Sequence, residues 1–320
     1  MNQTRRRLLF ALLLGLISIS SAYAQQTKTT VVSTETVRVD TLSKGADGIF
    51  ETATVTRKVE RTELLPPFTY TVRPSVSLVQ TAFRDWVGSG GNSIAWTTSL
   101  EAFARYDFDP YVWTNRLNLS YGQNKTEEQG ARKTIDLIDF ETNLRYGNSI
   151  LKPEFVATLQ TQFAPGYDYG VTGEPQVSAF FDPAYLVQSI GLAYKETDNF
   201  EASFGVAFRE IITSKYNSYS DDPDTKKVEK IDFKTGVRAS ALWTAKVMEN
   251  IEFNSRLQLF SAFESLDTWD VNSRNILRMK INRFLQAHAG LTFFFQKNSS
   301  DRLQIQETFE LTFSYPLTNL

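Results

Sequence analysis

From about Val76 onward the chain repeats one pattern: ten to fifteen residues of period-two alternation between apolar and polar side chains, then a turn. Successive side chains of a strand point to opposite faces, so such a run has one apolar and one polar face, whereas a helix would scatter the same residues around its cylinder. In Leu303 to Tyr315 one face carries Leu303, Ile305, Phe309, Leu311, Phe313 and Tyr315, with Glu307 the single exception, and the other carries Gln304, Gln306, Thr308, Glu310, Thr312 and Ser314. Residues 284–297 repeat the pattern, with Leu285, Ala287, Ala289, Leu291, Phe293 and Phe295 on the apolar side.

The alternation predicts twelve strands, over 74–86, 92–106, 111–123, 134–147, 151–163, 184–196, 199–213, 230–247, 250–263, 270–281, 284–297 and 303–316. Every second connection is tight: 107–110, 147–150, 197–198, 248–249 and 282–283. The others are generally longer and polar: 88–91, 123–133, 164–183, 214–229, 264–269 and 298–302. Short turns on one rim and long loops on the other are the signature of a transmembrane β-barrel, with the turns periplasmic and the loops extracellular. Strands of this length cross a hydrocarbon core when tilted, and closure is required because an open edge would leave unpaired backbone groups in lipid. The expected fold is therefore all-β: an antiparallel up-and-down barrel of about twelve strands. Trp86, Trp96, Trp113, Trp243 and Trp269 fall near segment ends, where aromatic girdles sit at the two membrane interfaces.

At the N-terminus Arg5, Arg6 and Arg7 precede the apolar run Leu8 to Ile19, and Ala22-Tyr23-Ala24 offers small residues for cleavage. This reads as an export signal over residues 1–24. Residues 25–72, rich in Thr, Val and charge, read as a periplasmic extension, partly strand-like and partly disordered, leaving 73–320 for the barrel; a plug folded into the lumen is the alternative. Three of the 34 basic residues lie in the leader and all 36 acidic residues lie beyond it, so the mature chain is mildly acidic and lacks the basic surface that nucleic acid requires. The absence of cysteine removes disulfides, thiolate metal sites and thiol catalysis.

The stretches Gln80 to Trp86, Gly90-Gly91-Asn92-Ser93, Tyr121-Gly122, Arg132-Lys133-Thr134, Thr161 to Tyr169, Pro183-Ala184-Tyr185, Leu259-Phe260-Ser261 and Met279 to Asn282 resemble, in this order, a Bacteroidota envelope family, the domain of unknown function 3078 family. The resemblance extends over about 74–316 and its 161–169 motif is the most specific. Two departures stand out: Phe295-Gln296-Lys297-Asn298 replaces a Tyr followed by acids, and the chain runs past Pro316 to Leu320 instead of stopping at an aromatic residue. The resemblance implies an outer-membrane location and brings no established activity.

Turning the polar faces inward gives a charged lumen. Early strands contribute Glu101, Asp139, Glu141 and Glu154, with Arg105, Arg116 and Arg145 among them. Later strands contribute Lys234, Arg238, Lys246, Arg256, Arg274, Arg278 and Lys280 against Asp232 and Glu252. An acidic wall facing a basic one would orient small polar solutes, which points to a narrow channel. The competing expectation is that these groups pair across a lumen of limited width and shut it, leaving a structural or partner-binding barrel. The 164–183 loop carries Tyr167, Asp168, Tyr169, Phe181 and Asp182, which with Trp86, Gly90 and Gly91 on the same rim form a candidate contact surface for a constriction or a partner. The predicted partners are outer-membrane lipid and a small polar solute.

Other chemistry is thinly represented. Outer-membrane phospholipases are also twelve-stranded, but His288, the single histidine, sits on the inward face between Gln286 and Gly290, and Ser273 or Ser314 would approach it only in a particular register. Asp221-Asp222-Pro223-Asp224 lacks the glycine and distal glutamate of a calcium loop, so it reads as a solvated tip. Neither catalysis nor a cofactor or metal is expected.

Overall fold

The computed structural model describes residues 29–44, 50–65, 67–81, 93–126, 130–195, 197, 199–222, 225–296 and 302–319. The leader, Trp86, Gly90 and Gly91 lie outside them, as do Pro223 and Asp224. Two compact units are distinguished, one holding residues 1–69 and 107–109, the other 70–106 and 110–319. In the first, β1 (Thr29–Lys44) and β2 (Phe50–Leu65) form an antiparallel hairpin paired from Thr29↔Leu65 to Lys44↔Phe50. Period-two chemistry in the Thr/Val-rich segment accounts for the strands.

Next come β3 (Phe68–Thr81), β4 (Ser93–Phe108), β5 (Tyr111–Thr126), β6 (Gly130–Tyr146) and β7 (Leu151–Thr161). The short β8 (Gly166–Tyr167) and β9 (Gln176–Ser178) pair with each other within a loop. Then follow β10 (Ala184–Tyr194), β11 (Phe200–Ile212), β12 (Ile231–Met248), β13 (Ile251–Ala262), β14 (Asp270–Lys280), β15 (Leu285–Phe295), β16 (Gln304–Ser314) and β17 (Leu317–Thr318). Twelve of these, β3–β7 and β10–β16, form one sheet in sequence order that closes where β16 meets β3. The strands are antiparallel neighbours throughout the registers described, so the barrel is up-and-down, as the alternation predicts.

Among the described residues the closing seam pairs β16 with β3 from Thr312↔Ser77 to Ser314↔Ser75, and β17 adds Leu317↔Val72 and Thr318↔Thr71. Side chains reinforce it: Ser77 and Thr312 hydroxyls lie 3.0 Å apart, and the Asn319 side chain accepts the Tyr70 amide at 2.7 Å. The residues past Tyr315 thus help to close the sheet, which gives the C-terminal run-on a structural role.

One predicted loop becomes strand. Residues 123–126 and 130–133 extend β5 and β6 into a ladder in which Gln123 pairs with Lys133, Asn124 with Arg132 and Lys125 with Ala131. Backbone pairing needs no apolar face, so a polar hairpin continues above the membrane band. The ladder shifts register between Gly122 and Gln123, where a Cβ on Gly122 would come within 2.8 Å of both the Trp96 carbonyl oxygen and an Ile135 methyl. That crowding accounts for the glycine of the Tyr121-Gly122 pair.

The two faces of the wall separate as the alternation requires. Ile190, Leu192, Phe204, Val206, Phe233, Ile305, Phe309 and Phe313 are exposed on the outside, Phe309 at 72%. An exposed apolar surface around a closed sheet is stable only against hydrocarbon. Aromatic rings mark its edges. Tyr106 stacks on Trp113, Tyr111 tilts against Tyr146, Trp243 meets Phe253 edge-on and Phe284 stacks on Tyr315 at the turn end; Trp96 packs against Tyr121 and Phe208 against Phe233 toward the loop end. Inside, β10 and β11 present only small side chains at one level, with Ser189, Gly191 and Ala193 beside Ser203, Gly205 and Ala207. Ala193 and Ala207 are wholly buried, Ala207 in a cluster with Phe260 and Ala262.

Candidate functional site: a charge-laced lumen

Inward positions on β4 to β7 and β11 to β14 bring most of the predicted charges together. Glu141 on β6 is the hub. It pairs with Arg116 on adjacent β5 at 3.2 Å and with Arg256 on β13, which lies five strands away around the ring of twelve. The Glu141–Arg256 pair therefore crosses the lumen nearly along a diameter. Arg145 pairs with Glu154 at 3.2 Å and with Glu201, three strands away on β11, while the Asn143 amide donates to Glu154 at 3.1 Å. Glu101 is shared by Arg73 at 3.0 Å and Arg278 at 3.1 Å, the latter four strands away. Asp139 accepts from Asn118 at 3.3 Å, and Lys234 lies 3.8 Å from Asp232. Arg105 lines the wall near the turn end, and Lys280 is exposed at the turn-end limit of β14.

Cavities lie on the loop side and on the turn side of these bridges. Above them, toward the loops, is a cavity of about 720 Å³ lined by residues of β6, β7 and β10–β16; below them is one of about 180 Å³ lined by Arg105, Arg116, Glu141, Arg145, Glu201 and Arg256, among others. Among the described residues, Arg238 alone lines both. Buried charges are tolerated only when opposite charges and hydrogen bonds satisfy them, and the Glu141, Glu154 and Glu201 constellation meets that condition for Arg116, Arg145 and Arg256. Arg238 and Arg274 differ: neither has a carboxylate within 4.0 Å among the described residues, and Arg238 donates only a 3.4 Å bond to the Ser203 hydroxyl.

Sequence reasoning missed four contributors. Arg209 and Asp270 form a cross-lumen pair from β11 and β14, with the Arg209 guanidinium stacked 4.4 Å from the Phe260 ring centre. Arg73 and Glu201 complete the Glu101 and Arg145 networks. The parity of the predicted 199–213 strand already turns Glu201 and Arg209 inward, so that signal was present.

At the loop rim the predicted contact residues fall into two groups. Tyr167 and Asp168 are exposed, and Asp168 caps the Gly170 amide at 2.9 Å. Tyr169 is held from below: its hydroxyl accepts the Lys133 amide at 3.2 Å and its ring lies 4.7 Å from the Arg132 guanidinium, which also pairs with Glu174. Phe181 is half-buried, and its neighbour Phe180 is 63% exposed. Asp182 does not face a partner. It is only 4% exposed, and its carboxylate accepts the backbone amides of Ser214, Lys215 and Tyr216 at 3.1, 2.7 and 3.3 Å. Asp136 plays the same part for the other end of the loop, accepting from Phe163 and Ala164 at 2.7 and 2.8 Å and pairing with Lys133 at 2.8 Å. The Arg132-Lys133 and 161–169 motifs are thus one bonded unit that fixes the loop on the rim.

In the 213–230 loop, hydrogen bonds from the Thr225 hydroxyl and the Asp222 amide hold the Glu229 carboxyl below its ordinary range. Burial, and secondarily Asp182, pushes the Tyr219 phenol up. Asp221 accepts the Glu229 amide at 2.9 Å, and no cluster of metal-ligating side chains occurs among the described residues. His288 lies opposite Arg278 and Glu310 in the register, and its ring contacts Gln286 at 3.2 Å. Ser273 belongs to the outer face of β14, and Ser314 accepts from Gln286 at 3.1 Å, so neither serine is placed as a nucleophile for this ring.

A closed sheet of twelve strands with an apolar exterior, aromatic edges and a charged interior defines a transmembrane β-barrel of the outer-membrane type. Over residues 78–167, from the second half of β3 into the rim loop, the chain matches the family described as "Protein of unknown function (DUF3078)", the one its motifs resemble. Among solved structures, an outer membrane channel from Pseudomonas putida F1 aligns at 12% identity and a TM-score of 0.38, covering 78% of this chain and 94% of that one. The translocator domain of the autotransporter NalP from Neisseria meningitidis aligns at 8% and 0.36, covering 77% and 88%, and the NanC porin at 9% and 0.34, covering 78% and 100%. No curated protein matches in sequence.

Proposed function

We propose that this outer-membrane barrel takes up small polar solutes into its loop-end cavity while cross-lumen ion pairs keep the lower lumen shut, so that it acts as a latched, non-catalytic barrel and not as an open pore. The observation that carries the reading is Glu141, which ties Arg116 and Arg256 together across the lumen and lines the turn-end cavity. At the low effective dielectric of a protein interior such pairs hold far more strongly than on a surface. In this reading residues 1–24 direct export and the 25–72 extension is periplasmic up to the start of β3 at Phe68.

A conducting channel for small polar solutes is the second reading, favoured by the charge that lines both cavities. Planar-bilayer recording of the purified barrel separates the two. The latched reading expects current no greater than that of the bare bilayer at high protein density. Unitary openings of the unmodified protein would overturn it in favour of the channel.

A further inference from the structure

The polar inventory of the loop-end cavity does not balance. Its two acids are already engaged, Asp136 by Lys133 and two amides, Asp270 by Arg209 and Gln296. Its remaining cations are Arg238 and Arg274, neither with a carboxylate within 4.0 Å among the described residues; Glu141 and Glu154 act on Arg238 only from longer range. Arg274 also sits directly opposite Arg256 in the β13–β14 ladder. Like charges facing each other across a ladder are unfavourable, and Glu141 relieves only the Arg256 side. Around this excess positive charge stand five amide side chains from four strands: Gln160, Gln258, Asn272, Gln304 and Gln306. None of the five makes a side-chain hydrogen bond within the described protein. Each amide offers two donors and one acceptor, a set suited to hydroxyl groups, and a guanidinium offers a fork that fits a carboxylate or phosphate.

We infer that the loop-end cavity is a binding site for a small polyhydroxylated oxyanion, such as a sugar acid or sugar phosphate, with its anionic group on Arg274 and Arg238 and its hydroxyls on the ring of amides. A cavity of about 720 Å³ falls in the range that encloses ligands of this size. The inference deepens the uptake reading by naming its solute class. It is tested by binding and not by current, so the latch and the site can fail separately.

The test is isothermal titration of the detergent-purified barrel with sodium glucuronate, glucose 6-phosphate and glucose, at low and high salt. Glucuronate or glucose 6-phosphate should bind at least about tenfold more tightly than glucose, a difference of about 1.4 kcal/mol. Their relative affinities distinguish a carboxylate from a phosphate preference, and added salt should weaken both. Arg274→Gln should bring the anions down to the level of glucose, while Lys280→Gln, outside the cavity, should leave them unchanged. Circular dichroism confirms folding of each variant, and the comparison of anion with neutral sugar on the unmodified protein stands even if a variant fails to fold. Equal affinity for glucose and the anions, or no heat from any of the three up to their solubility, would overturn the inference.

Discussion

In planar bilayers the Glu141→Gln barrel is expected to pass steady, anion-selective current where the unmodified protein is silent. Glutamine keeps the size of the side chain and removes the charge that holds Arg256 to the opposite wall and Arg116 to its neighbour. Arg116, Arg238 and Arg256 then repel one another around a space from which their counter-charge has gone, and the guanidinium groups retract toward water. Breaking a buried pair by removing one partner costs about 3–5 kcal/mol, so the variant should also melt earlier. Arg256→Gln makes a sharper comparison. It removes the crossing pair but leaves Glu141 on Arg116, so its current should be smaller and less anion-selective. Equal silence in Glu141→Gln, with the barrel still folded, would remove the latch from the account.

The second large effect concerns the rim. Asp182→Ala deprives the Ser214, Lys215 and Tyr216 amides of their common acceptor, and each buried group left unsatisfied costs about 1–3 kcal/mol. A surface loop meets such a cost by opening to water and not by unfolding the barrel. Trypsin should therefore cut at Lys215, Lys226, Lys227 or Lys230 at least about tenfold faster, as a loss of 1.4 kcal/mol or more in closing the loop requires. The thermal transition of the strands should hardly move. Asp182→Asn, which retains one carbonyl acceptor, should fall between. Unchanged cleavage would show that Asp182 does not clamp this loop.

These two sites also mark where the sequence was legible. Alternation from Val76 onward, the sorting of tight turns from long loops, and tryptophans at segment ends were enough to define a twelve-stranded barrel, because period two and turn chemistry are local properties. Parity likewise placed Glu101, Glu141, Arg256 and Arg278 inward. Which acid meets which base was not legible: it depends on the stagger and tilt with which β6 faces β13 and β4 faces β14, and closure of the sheet sets both. Asp182 was misjudged for a related reason. A carboxylate in an aromatic loop looks the same in sequence whether it faces a partner or three backbone amides contributed by a segment thirty residues later. Polarity makes the 123–133 segment read as loop, whereas the ladder of 123–126 with 130–133 needs no apolar face.

The division of the lumen is tested most directly by single-thiol labelling, since the chain has no cysteine of its own. Thr292→Cys places a thiol in the loop-end cavity and Thr114→Cys places one in the turn-end cavity. With a small charged, membrane-impermeant thiol reagent added to the loop side of cells displaying the barrel, the Thr292 site should label rapidly. The Thr114 site should resist until Glu141→Gln is introduced into the same chain. Comparable labelling of both sites from the loop side, with Glu141 intact, would contradict the account.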